Sequence, residues 1–152
     1  MAFIRLTKEF KFEMAHALAG YDGPCRHIHG HSYELFVTVI GNPKAESGTS
    51  DFGMLIDFKL LKTLVRDCIV NEFDHALVLN KNTAPVQLNE LGEFVGRLIL
   101  VDYQPTSENM LIDFSGRLKK ALPEGVKLHS LKLRETVTSY AEWYASDNEP
   151  YV

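Results

Sequence analysis

The sequence predicts an α+β layer protein, with paired strands at both ends of the chain and two helices between them. Three observations lead there. Residues Phe3 to His16 alternate with period two: Phe10, Phe12, Met14 and His16 share one parity, and Glu9, Lys11 and Glu13 the other. Two later stretches repeat apolar residues every three or four positions behind capping residues. The resulting order (strand, strand, helix, short strand, helix, strand, strand) fits such a layer better than a doubly wound parallel sheet. At 152 residues, against roughly 150 per domain, the chain is expected to form one domain over 1–152.

The elements follow in order. The first strand breaks at Gly20-Tyr21-Asp22-Gly23-Pro24, which is turn chemistry. A second strand runs from about His31 to Ile40, with Tyr33, Leu35, Val37 and Val39 on one face. Phe36 and Ile40 lie on the other face, so this strand is expected to be covered on both sides. Gly41-Asn42-Pro43 ends it, and residues 44 to 53 read as an exposed loop. Asp57 then caps a helix carrying Phe58, Leu61, Leu64, Val65, Cys68 and Ile69 on its apolar stripe. A short strand is expected at Arg97 to Val101. Pro105-Thr106-Ser107-Glu108 starts the second helix, whose stripe is Met110, Leu111, Phe114, Leu118 and Leu122. Pro123-Glu124-Gly125 stops it. Strands at Val126–Thr136 and Val137–Ser146 complete a hairpin.

Composition excludes several classes of function. Sixteen Lys and Arg against twenty Asp and Glu leave a formal charge of −4, which argues against coating nucleic acid or an anionic membrane. Apolar runs such as Leu98 to Val101 fall far short of the ~20 residues that cross a bilayer. The start of the chain shows no signal-peptide hydrophobic region, and two cysteines are too few for a disulfide scaffold, so a reducing cytoplasm is the expected compartment. No phosphate-cradling Gly-rich loop and no Gly-x-Ser-x-Gly elbow is present.

Chemistry concentrates in Cys25-Arg26-His27-Ile28-His29-Gly30-His31. Histidines at i and i+2 of an extended chain point to one side, about 6–7 Å apart, within reach of one metal ion. His16 ends the neighbouring strand on its apolar parity and can supply a third imidazole. Three neutral imidazoles with an open position are the ligand set of catalytic zinc. Gly30 is expected to let the backbone pass close between the ligands. Without a metal, the same histidines would be satisfied by hydrogen bonds at a strand start. Cys25 keeps three readings: a thiol of lowered pKa acting as base or nucleophile, a fourth ligand, or a small turn residue. Cys68, on a helix stripe, reads as inert packing. Asp74-His75 forms a second pair past the helix end, either a carboxylate fixing an imidazole or a helix-ending Asp beside an unrelated His; the first needs a bend. Glu135 continues the parity of Leu131 and Leu133, so it needs a partner: an aminopyrimidine ring, or an ion pair with Arg134, Arg117 or another cation. Glu108, taken alone, reads as a favourable contact with the helix dipole.

Phe12-Glu13-Met14-Ala15-His16, Cys25-x-x-x-His29-Gly30-His31, Asp74-His75, Pro105-Thr106-Ser107-Glu108-Asn109 and Glu135-Thr136 occur in this order. The series resembles the 6-pyruvoyltetrahydropterin synthase/6-carboxytetrahydropterin synthase family over nearly the whole chain. Three residues between the cysteine and His-Gly-His resemble the bacterial carboxy enzymes of queuosine biosynthesis, since the pyruvoyl enzymes usually carry a longer gap.

The resemblance implies a tunnelling fold: a four-stranded antiparallel sheet with two helices on one face, whose sheets join into trimeric barrels that stack as hexamers. It implies zinc on His16, His29 and His31, a catalytic Cys25, and an Asp74–His75 relay reaching the site from a neighbouring subunit. It places Glu135 as the anchor of the pterin ring and Thr106, Ser107 and Glu108 along the pterin pocket. The implied substrate is 7,8-dihydroneopterin triphosphate, converted to the 6-carboxy product with loss of triphosphate and acetaldehyde. The chain departs from compact bacterial members by extra length around Lys81 to Gly96, which is expected to reshape the pocket mouth or an interface. Arg26, His27 and Lys132 are the candidates for holding the triphosphate.

Overall fold

The computed structural model describes residues 2–83 and 90–149. Strands β1 (Ile4–His16) and β2 (His29–Gly41) pair antiparallel without a slip, from Ile4 opposite Gly41 to His16 opposite His29. The alternation that predicted β1 is the burial pattern observed: Phe10, Phe12, Met14 and His16 are buried while the intervening charges face out. On β2 the same side carries Tyr33, Leu35, Val37 and Val39, all fully buried. Its other side is less covered than expected. Phe36 and Ile40 are half-buried, and the Lys132 ammonium screens the Phe36 ring at 5.2 Å.

Helix α1 (Phe58–Val65) starts where Asp57 accepts a 2.7 Å hydrogen bond from the Lys59 amide. It continues through a π turn (Arg66–Val70) into α2 (Asn71–Phe73). Leu61, Val65 and Ile69, spaced by four, are fully buried against the sheet, with Cys68 at the margin of the core. Thr106 caps α3 (Ser107–Ala121) by accepting from the Asn109 amide at 3.2 Å, and Met110, Phe114 and Leu118 enter the same core. Burying side chains of this size is worth about 1.5–3 kcal/mol each, which makes the two apolar stripes the main force holding helices to sheet. Arg117 ties the helices together, bonding Asp113 at 2.8 Å and Glu72 at 2.5 Å while lying 5.0 Å over the Phe73 ring.

The sheet corrects the four-stranded expectation. Among the described residues six strands pair in the order β4-β3-β1-β2-β5-β6. The unforeseen strand is β3 (Ala76–Asn80), which runs parallel to both β1 and β4 (Leu98–Val101), so the sheet is mixed rather than antiparallel. Its Ala-Leu-Val-Leu run is buried on both faces and carries no alternation to read. At the other edge β5 (Lys127–Thr136) and β6 (Ser139–Tyr144) form the expected hairpin, and α4 (Ala145–Asn148) replaces the last residues assigned to a strand. β2 also begins two residues early, at His29. Part of the extra Lys81–Gly96 segment, residues 84–89, lies outside the described residues.

Candidate metal centre

The β1–β2 register sets His16, the last residue of β1, opposite His29, the first of β2, with His31 two residues along the same face. Their ring centroids lie 4.6, 4.9 and 5.2 Å apart. His16 is buried, and its Nδ1–H donates to the Pro105 carbonyl at 2.7 Å; the His29 Nδ1–H donates to the His27 carbonyl at 2.7 Å. A carbonyl only accepts, so each ring carries its proton on Nδ1 and offers a lone pair at Nε2. Those two Nε2 atoms face each other at 3.1 Å. With the Nε2 of His31 and one Glu135 oxygen, they form four ligand atoms within 4.8 Å of one another.

Two lone pairs at that distance repel unless a cation lies between them. Two nitrogens bound tetrahedrally to one zinc, each at about 2.0–2.1 Å, stand roughly 3.3 Å apart, so the spacing fits the ion. The carbonyl partners are the usual outer contacts of metal-bound histidine, fixing tautomer and ring plane. Burial holds the His16 imidazole below its ordinary value, with His29 and His31 adding to it against the pull of the Pro105 carbonyl and Glu135. Burial likewise lowers His31. Both shifts favour the neutral, ligating form.

Glu135 lies where its parity put it, and the cations weighed as its partners are engaged elsewhere. Arg117 holds Asp113 and Glu72, and Arg134 is 3.8 Å from Glu34. One Glu135 oxygen stands 3.0 Å from His31 Nε2, at an angle that makes no hydrogen bond; the other accepts from Ser107 Oγ at 2.5 Å. Ser107 is therefore brought to the site as a buried partner of Glu135. Thr106 sits one residue away, with its side chain spent on the helix cap. Glu108 is exposed on the first turn of α3.

Asp74 and His75 do form a pair, Oδ1 to Nδ1 at 3.0 Å. The required bend is present: His75 has φ 60°, the only positive value at a non-glycine among the described residues. The Glu13 amide donates to Asp74 Oδ1 at 2.9 Å, and the Glu13 carbonyl accepts from the His75 amide at 2.6 Å. Burial acts to raise the Asp74 carboxyl, but the Glu13 amide, then His75 and Arg97, outweigh it and hold the group below the usual range. His75 lines a cavity of about 450 Å³ with Glu13, Ala15, Gly30 and Ser32, of the parity opposite to that of the imidazoles, and His31 borders the same cavity. His75 stands beside Glu13, whose parity is opposite to that of His16, so the pair faces away from the side of the sheet on which His16 and His29 meet. Cys25 sits in a 3-10 turn (Pro24–Arg26) just before β2, half-buried, its carbonyl accepting from the Leu18 amide at 3.0 Å.

Some contributors escaped the sequence. The Pro105 and His27 carbonyls orient two ligands, and backbone atoms leave no residue signature. Tyr33 meets His31 edge to face (centroids 5.5 Å apart) and carries a buried hydroxyl that finds no partner among the described residues; a polar tip on an apolar parity was the available clue. Gly30 is not needed for close approach, because a Cβ there would meet Met14 O at 3.4 Å, an ordinary contact, with backbone that any residue adopts.

Comparison with known proteins covers nearly the whole chain. A family model described as 6-pyruvoyl tetrahydropterin synthase matches residues 5–146. The 6-carboxy-5,6,7,8-tetrahydropterin synthase of Haemophilus influenzae is 35% identical over 141 residues, covering 91% of this chain and 97% of its own. The enzyme of the same name from Synechocystis is 32% identical, with 95% and 96% covered. Among solved structures, an uncharacterized Wolinella succinogenes protein superposes with a TM-score of 0.77 at 22% identity, over 95% of this chain and 99% of that one. The Caenorhabditis elegans 6-pyruvoyl tetrahydropterin synthase gives 0.66 at 23% identity, over 95% and 96%.

Proposed function

The chain belongs to the 6-pyruvoyl tetrahydropterin synthase family, and on that premise we propose that it is a zinc enzyme forming 6-carboxy-5,6,7,8-tetrahydropterin from 7,8-dihydroneopterin triphosphate. The observation that carries the reading is the pair of imidazole Nε2 atoms 3.1 Å apart, each ring fixed by a backbone carbonyl. His16, His29 and His31 would hold the ion. When bound, zinc supplies Lewis acidity to side-chain oxygens of the substrate, sharpening the acidity of neighbouring C–H and O–H bonds.

The chain's own groups supply the rest. Glu135, steadied by Ser107, accepts from the row of N–H donors on the aminopyrimidine edge and sets the ring in one register. Cys25 takes or returns a proton at the side-chain carbons. His75 does the same at an oxygen, its Nδ1 held by Asp74. Because the Asp74–His75 pair faces away from its own cluster, it serves the site of an adjoining copy, which supports a homo-oligomer, a hexamer built as a dimer of trimers in this reading. Triphosphate leaves by elimination, internal redox transfer reduces the ring, and water adds to the side-chain carbonyl next to the ring, so that the carbon–carbon bond breaks to leave the 6-carboxylate and acetaldehyde. A product of this kind belongs to the route to queuosine. Two free cysteines accord with a cytoplasmic setting, and among the described residues no helix is long and apolar enough to cross a membrane.

The cysteine-to-histidine spacing and the curated relatives at 35% and 32% identity favour the carboxy product over the pyruvoyl one. Incubating the zinc-loaded protein with 7,8-dihydroneopterin triphosphate and identifying products by mass tests it. The 6-carboxy pterin with equimolar acetaldehyde is the expected result. A 6-pyruvoyl pterin without acetaldehyde assigns the pyruvoyl reaction instead. Zinc and pterin binding without turnover would reduce the protein to a binding module.

A further inference from the structure

We infer that Arg97 is a positioning residue: its guanidinium clamps the end of α2 and thereby holds the Asp74–His75 pair in the turn that keeps imidazole and carboxylate together. The inference rests on reading that pair as the proton relay. Arg97 closes the extra Lys81–Gly96 segment, so it also gives that segment a task.

The last carbonyls of a helix have no partner within it. Here the Val70 carbonyl accepts from the Asp74 amide at 2.9 Å. Those of Asn71 and Glu72 turn to Arg97 instead: its Nη1 donates to the Asn71 carbonyl and, at 2.9 Å, to that of Glu72. The same nitrogen reaches the Asp74 carbonyl at 3.2 Å. On the far side of the turn, the Arg97 carbonyl accepts from the Leu77 amide at 2.9 Å. One residue therefore grips the chain before and after His75.

That grip has a use, because His75 occupies the left-handed region that a residue with a Cβ avoids. Left free, residues 74–76 would relax toward extended backbone, where adjacent side chains point apart and the 3.0 Å Asp74–His75 contact is lost. Arg97 makes no hydrogen bond to the imidazole or the carboxylate, so beyond its Coulombic pull on Asp74 its hold on the pair's geometry passes through the backbone. All three carbonyls are met by the one nitrogen Nη1, so an ammonium at that place, with its three donors, reproduces part of the grip.

The test uses full-length, zinc-loaded protein labelled with ¹⁵N, in which long-range proton–nitrogen spectra report the tautomer of each histidine. His75→Gln assigns the resonance. The wild type is expected to show His75 held as the Nδ1–H tautomer. In Arg97→Met, which keeps the stem and removes the donors, the signals move to the mixture of a free imidazole while zinc content is unchanged. With pterin substrate, kcat falls about 10²-fold at little-altered KM, since small misplacements of a reacting group cost that much. Arg97→Lys restores part of both. A purely structural Arg97 would lower the melting temperature without moving the His75 nitrogens. Wild-type His75 shifts in Arg97→Met overturn the inference. Should that variant not fold, wild-type shifts in both Arg97→Lys and Arg97→Gln overturn it equally. If the wild type fails to convert the pterin, the relay reading falls, yet the nitrogen spectra still decide whether Arg97 holds His75.

Discussion

Replacing Ser107 with alanine probes the proposed anchoring of the pterin ring by Glu135 without touching a histidine. Ser107 is 5% exposed, and its hydroxyl donates to Glu135 Oε2 at 2.5 Å. Hydrogen bonds to charged groups contribute about 1.5–3 kcal/mol, and the Glu135 side chain, 26% exposed, takes the lower end, about 1.5 kcal/mol. At 1.4 kcal/mol per decade that is a roughly tenfold rise in KM for the pterin. The helix start survives, because Thr106 rather than Ser107 caps it. Ser115→Ala is the matched control: Ser115 is 6% exposed on the same helix, and its hydroxyl donates to the Ile112 carbonyl at 2.8 Å. Steady-state kinetics with metal analysis on the same preparations reads the outcome. A KM for Ser107→Ala within about twofold of wild type refutes the coupling estimated from the contact. Zinc lost in step with activity refutes the division of labour, since Glu135 would then be serving the ion.

Chelation should lower the melting temperature: at free zinc a thousandfold above Kd the ion adds about 4 kcal/mol, or roughly 8–16 °C for a chain of this size. His29→Ala should melt identically with and without added zinc, and a zinc-dependent shift in it would contradict the three-imidazole assignment. Cys25→Ala should retain stoichiometric zinc by elemental analysis and lose about 10²–10⁴-fold in kcat; unchanged turnover removes Cys25 from the chemistry. Asp74 is held below its ordinary value of 3.8, so its charge stabilises the fold above that pH, and the benefit is lost as the pH falls through the lower folded value. Because Asp74 is 38% exposed, Asp74→Asn should cost only about 0.2–1 kcal/mol near neutrality, and denaturant melts of the two proteins should converge in acid.

Where side chains alternate or recur with a clean period, the sequence was sufficient. β1, the helix caps at Asp57 and Thr106, and the shared side of His29 and His31 were legible because each depends on neighbours in the chain, whereas His16 joins them through the pairing of β1 with β2. Glu135 was legible as an anomaly, a carboxylate in phase with Leu131 and Leu133. Its partner was not, since the choice among Arg117, Arg134 and the imidazoles depends on how β5 lies against β2. β3 was missed for a related reason. A short apolar run buried on both faces has no period, and its pairing with β1 and β4 links residues far apart in sequence. Backbone donors and acceptors, such as the Pro105 carbonyl behind His16, are invisible to any reading of side chains.

The left-handed backbone at position 75 carries a lesson about what has been optimised in this chain. A glycine there would relax the turn by about 1–2 kcal/mol, and anyone screening for thermal hardiness alone would choose it. The histidine that occupies the place leaves the molecule less robust than it needs to be. For the proton-carrying role proposed for His75, such a trade-off is what reactivity looks like when it is written into a main-chain torsion.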